Sequence, residues 1–97
     1  MEIAETILQQ MGGEIAMRMI GGYALIADSN ALSFRFKAHA KESLNFCKVT
    51  LTPWDVYEFE LGRVRAGKYT QVHKFDEIYC DQLIAMFEEY TGLYLRL

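Results

Sequence analysis

Two histidines (His39, His73), two cysteines (Cys47, Cys80) and the paired carboxylates Glu58 and Glu60 are the residues whose chemistry could make a reactive site. The histidines and cysteines show no HxH, HxxxH or CxxC spacing, so nothing local brings two metal ligands together. Cys47 or Cys80 would act as a nucleophile beside His73 only if the fold joined them. Glu58 and Glu60 share one strand face, as an acid/base pair requires, but such a pair needs its two pKa values pushed apart. Arg35 and Lys37 are expected across the sheet from them, which keeps both carboxylates ionised. Ordinary cross-strand pairing, worth roughly 0.2–1 kcal/mol each, then accounts for this face. Gly21-Gly22 fits neither a GxGxxG nor a GxxxxGK[ST] pattern, and a backbone turn is the better reading. No nucleophile elbow or nucleotide fingerprint is present. The expectation is a protein that is not an enzyme, with no catalytic residue, cofactor or metal.

Binding is the chemistry left. Residues 31–75 hold Arg35, Lys37, Lys41, Lys48, Arg63, Arg65, Lys68 and Lys74 against Glu42, Asp55, Glu58 and Glu60. The flanks are acidic: Arg18 faces Glu2, Glu5, Glu14 and Asp28, and Arg96 faces Asp76, Glu77, Asp81, Glu88 and Glu89. A basic sheet with Tyr69 and Trp54 as stacking surfaces is a recipe for holding single-stranded nucleic acid. The net charge of −3 and the pI near 5.3 weigh against it, because such binders usually have a pI above about 9. Recognition of another protein therefore leads, with nucleic acid as the alternative. Trp54 falls at a turn tip, and Trp, Tyr and Arg are the types most enriched in interface hot spots. The candidate partner-binding residues are Trp54, Asp55, Arg35, Lys37, Arg63, Arg65 and Tyr69. Folding of Trp54 back over the sheet edge is the competing reading. Short sheets also leave edges to cover, and a homodimer through one of them is a further expectation.

These residues need elements to position them. The stretch from Val49 to Phe75 reads as three antiparallel strands. Thr52-Pro53-Trp54-Asp55 suits a type I turn, and Ala66-Gly67-Lys68 a second turn with Gly67 at positive φ. Tyr57, Phe59 and Leu61 alternate with Glu58 and Glu60, the period of a half-buried strand. Ahead of it, Ile3 to Met11 carries one apolar stripe and is a helix, stopped by Gly12-Gly13. Glu14 to Ile20 is expected to be a strand closed by Gly21-Gly22, and Tyr23 to Ala27 a second strand or a buried connection. Asp28-Ser29-Asn30 is a turn cluster. From it runs a clean strand, with Leu32, Phe34 and Phe36 facing the core and Ser33, Arg35 and Lys37 facing out. His39 to Asn45 reads as a loop and Phe46 to Thr52 as the next strand.

Tyr79, Leu83, Met86, Phe87 and Tyr90 form the stripe of a second helix. Asp76, Glu77 and Asp81 are expected in or near its first turn, and Gly92 and Leu93 in a Schellman ending. Leu93 to Leu97 alternates like a last strand, its end tucked against the body. Both cysteines are expected reduced and buried, with a disulfide or a redox role as the alternative.

Several stretches together carry a resemblance: the early Gly-Gly; Asp28-Ser29-Asn30-Ala31-Leu32-Ser33-Phe34; and Val49-Thr50-Leu51-Thr52 followed by Asp55 and Tyr57. The ending is the most distinctive, with Tyr79-Cys80-Asp81-Gln82-Leu83, Phe87-Glu88 and Thr91-Gly92-Leu93-Tyr94. In these the chain resembles a group of small proteins of unknown function encoded by tailed phages and prophages. It departs from them at Gly21-Gly22-Tyr23, where the group carries a Gly-Ala-Lys-type turn. The resemblance implies a phage-related origin and a host or phage protein as partner. A concrete form of it is an inhibitor of a host defence machine, an anti-defence protein.

The fold class expected is α+β in a single domain, 1–97. It comprises an antiparallel sheet of about five strands with an N-terminal helix and a longer C-terminal helix packed on one face. The acidic N-terminus lacks the basic residues of a secretory signal, and no window reaches the roughly 18 apolar residues of a membrane span. The expected location is the cytoplasm, without membrane contact, and the resemblance implies that it is a bacterial one.

Overall fold

The computed structural model describes residues 2–95. Helices α1 (Glu2–Gln10) and α2 (Gly13–Ile20) precede five strands, β1 (Gly22–Ala27), β2 (Ala31–Phe36), β3 (Phe46–Leu51), β4 (Tyr57–Arg65) and β5 (Lys68–Ile78). Helix α3 (Leu83–Thr91) follows. The strands form one antiparallel sheet in chain order, so β1 and β5 are its edges. With the 3-10 turn Cys80–Gln82 leading into α3, the C-terminal helical segment is the longer of the two terminal ones. The architecture is α+β.

Alternation in the strands decides the core. Leu32, Phe34 and Phe36 of β2, Cys47 and Val49 of β3, and Tyr57, Phe59 and Leu61 of β4 share one buried face. Against it pack Ala4 and Ile7 from the first helix with Met11 just past its end, Ala16, Met17 and Ile20 from the second, and Leu83 and Phe87 from the last. Phe87 lies edge-on to Phe36 at 5.3 Å between ring centroids and tilted against Phe34 at 6.3 Å, which ties α3 to the middle of the sheet.

The turn chemistry holds where the sequence is explicit. Asp55 N–H donates to the Thr52 carbonyl (3.2 Å), Thr52 N–H to the Val56 carbonyl (2.9 Å), and Asp55 takes φ 63 to rejoin β4. Between β4 and β5 both Ala66 (φ 53) and Gly67 (φ 76) are left-handed, the type I′ geometry whose twist suits a two-residue hairpin.

Several expectations are corrected. Residues 14–20 are a helix: Ala16, Met17 and Ile20 are buried at helical spacing, while Ile15 and Met19, which alternation would place inward, are exposed. Gly12, at φ 109, ends the first helix and turns straight into the second. Arg35 and Lys37 do not face Glu58 and Glu60, because β3 lies between β2 and β4; Glu60 pairs with Lys48 and Lys74 instead. Asp76 and Glu77 belong to β5, which bulges there with Glu77 at φ 56, and Tyr79 stands exposed ahead of the helix. Cys47 is buried but Cys80, in the 3-10 turn, is exposed, and both are free thiols.

Smaller departures follow the same logic. Ser33 lies on the outer face yet is nearly covered. The 39–45 loop contains a 3-10 turn at Lys41–Ser43. Gly92 is left-handed as expected, but its N–H bonds the Glu88 carbonyl, a single αL closure rather than a Schellman pair. Leu93 N–H goes instead to Thr91 Oγ1 (3.1 Å). No strand forms over residues 92–95, and the expected tucked end at Leu97 lies outside the described residues.

Candidate functional site

The seven candidate residues divide between opposite ends of the sheet. Trp54 and Asp55 sit in the β3–β4 turn. Arg35, Lys37, Arg63, Arg65 and Tyr69 gather where β2, β4 and β5 reach the other end. Six residues of β4, 57–62, lie between that turn and Arg63, about 20 Å at roughly 3.3 Å per residue.

At the first end, Thr52 builds a rigid tip. Its Oγ1 donates to the Val56 carbonyl (2.8 Å) and accepts from Trp54 N–H (3.3 Å), while Pro53 pre-sets the backbone. The indole carried on that tip is 84% exposed. It does not fold back over the edge.

The other end is basic and aromatic. Tyr23 of β1 lies under two cations: the Arg35 guanidinium carbon is 5.4 Å and Lys37 Nζ 5.2 Å from its ring centroid, within cation–π range. Arg35 Nε is buried and has no hydrogen-bond partner among the described residues. Beside it, Phe46 meets Tyr69 edge-to-face at 5.0 Å. Tyr69 can lie flat over the sheet because Gly62 has no side chain beneath it; a Cβ there would come within 2.5 Å of the ring. The Tyr69 hydroxyl donates to Glu60, and burial together with that carboxylate raises its pKa well above the ordinary tyrosine value. A cavity of about 330 Å³ opens next to Tyr23 and Lys37, walled by His39, Ser43 and Asn45.

Arg63 and Arg65 reach this end by another face. Arg63 has the parity of Phe59 and Leu61, and its Nη1 donates to the Glu42 carbonyl (2.8 Å). The Glu42 carboxylate lies 2.6 Å from His73 Nε2. The His73 ring stacks on Phe75 and leans on Tyr90, so it is held in a packed edge cluster. The basic residues thus share an end of the molecule rather than one flat face.

Two contributors escaped the sequence reading. Tyr23 carried no signal, since its neighbours in the chain are apolar or glycine. Asn45, read as loop, continues β3: its N–H bonds the Gly62 carbonyl, and its side chain bonds both Val64 N–H (2.7 Å) and Val64 C=O (3.0 Å). Burial, with Glu60 adding to it, pushes the Cys47 thiol up, so it stays protonated. Among the described residues no group of three or more His, Cys, Asp or Glu could hold a metal, and no helix is long and apolar enough to cross a membrane. No family model, curated protein or solved structure matches the chain.

Proposed function

We propose that this protein acts by binding another protein, without catalysis, and that the Trp54 turn is its anchor. One observation carries the reading: a bare indole, 84% exposed, on a turn already fixed by Pro53 and the Thr52 hydrogen bonds. A large apolar group held rigid in water gains on transfer to a partner's pocket and has little entropy left to lose. The resemblance to small phage-encoded proteins supports a narrower form, an anti-defence protein that occupies a host machine in the bacterial cytoplasm. Affinity capture from host lysate should retain a partner on the native protein and lose it with Trp54→Ala. Equal retention by both, or no partner at all, would overturn the proposal.

Arg35 and Lys37 over the Tyr23 ring, with Tyr69 on the same face and Arg63 and Arg65 at the same end, favour a second reading, single-stranded nucleic acid at the basic end. Fluorescence anisotropy would show binding that weakens steeply with salt. Its absence at low salt rejects this reading.

A further inference from the structure

β1 is an open edge, and from Gly22 to Ala27 it carries no charged residue. The opposite edge is guarded. β5 bears Lys68, Lys74, Asp76 and Glu77 and is bulged twice against β4, devices that discourage further pairing. β1 has one bulge, at Ala24–Leu25, and is regular beyond it. There the ladder determines which backbone groups are free. Phe36 N–H bonds the Asn45 carbonyl and Leu51 N–H the Asn30 carbonyl, so even-numbered residues of β2 face β3 and odd-numbered ones face β1. Asp28 N–H closes the hairpin on the Ala31 carbonyl (2.9 Å). Ile26, opposite Ser33, therefore bonds inward, and by alternation Leu25 and Ala27 turn their N–H and C=O groups off the edge.

We infer that this edge joins two copies of the chain, β1 pairing antiparallel with β1 of the second copy about a two-fold axis at Ile26. In that register Leu25 lies opposite Ala27 of the second copy, and Ala27 opposite its Leu25, as two hydrogen-bonded pairs. Ile26, 56% exposed, meets its own copy on the axis, where side chains approach most closely. On the core-side face, Leu25 of the second copy arrives beside Ala27 at a cavity of about 160 Å³ that Ala4, Leu8 and Leu32 help to line.

The charges agree with the direction. Pairing about Ile26 brings Asp28 of one copy beside Tyr23 and Ala24 of the other, where Arg35 and Lys37 lie over the Tyr23 ring. Symmetry repeats the match, whereas parallel pairing would set like ends together. The surface is separate from the Trp54 turn, and the inference stands or falls without it.

Sedimentation equilibrium of the full chain should give twice the 11.2 kDa chain mass. Ile26→Lys, which sets two ammonium groups together on the axis, should halve that mass and leave the circular dichroism unchanged. In a Cys80→Ser background, Ile26→Cys should cross-link on mild oxidation, because a non-hydrogen-bonded pair holds its Cα atoms about 4.5 Å apart, within disulfide reach. Ile15→Cys, similarly exposed on α2, should not. A single-chain mass for the native protein at high micromolar concentration overturns the inference. So does cross-linking of Ile15→Cys as complete as that of Ile26→Cys.

Discussion

Tyr69 shows how a single side chain serves the basic end. Its ring covers Gly62, its edge meets Phe46, and its hydroxyl occupies Glu60. Because the folded state raises its pKa, folding binds that proton more tightly than the unfolded chain does. The resulting stability is complete below the unfolded value near 10 and is lost as pH rises through the raised one. Tyr57 and Cys47, both also raised chiefly by burial, act with the same sign. Denaturant midpoints should therefore fall between about pH 8 and about pH 11, and Tyr69→Phe should fall less steeply than the native protein. Identical slopes would contradict this account of Tyr69. Trp54 makes the opposite case, a side chain with no structural duty. Trp54→Ala should change stability by no more than about 0.5 kcal/mol in urea melts. On the proposed function, it should weaken binding to the captured partner by about 2 kcal/mol or more, a loss of about 30-fold or greater in affinity.

At the level of elements, the joints carry more than their sequence suggests. Asn45 replaces one rung of backbone pairing with its side chain, satisfying both polar groups of Val64. Asn45→Ala strands those partly buried groups and should cost about 1–3 kcal/mol in a denaturant melt, with the Trp54 turn unaffected. At the α1–α2 joint a Cβ on Gly12 would sit 2.7 Å from Ala16 Cβ and 2.9 Å from the Leu95 carbonyl, at φ 109. Gly12→Ala should cost about 1–3 kcal/mol and lower the melting temperature accordingly. The same joint explains why residues 14–20 misled the reading. EIAMRMI alternates well enough for a strand, and its helical face is short. What selects the helix is the turn at Gly12, which lays Ala16, Met17 and Ile20 against the sheet. By contrast, β2 and β4 were legible because Phe34, Phe36, Phe59 and Leu61 repeat at period two with no competing helical stripe.

For the molecule as a whole, one aromatic knot holds the last helix to the sheet. Phe87→Ala would empty the space between Phe34 and Phe36 and should cost about 3–5 kcal/mol, a large part of the roughly 5–15 kcal/mol a domain of this kind commands. Calorimetry should show that loss as a sharply lower melting temperature. The alternation of apolar residues and the Pro and Gly turns determined strands β2 to β5, their antiparallel hairpins and the turn that carries Trp54. These are local matters, fixed by side-chain period and backbone sterics within a few residues. Which strand lies beside which is settled by pairing across the chain. That pairing put β3 between Arg35 and Glu60, sent Arg63 to Glu42, and brought Tyr23 under Arg35 and Lys37. It also left β1 as an uncharged edge. Contacts between residues distant in sequence depend on closing the whole sheet over one core, and only the tertiary structure decides them.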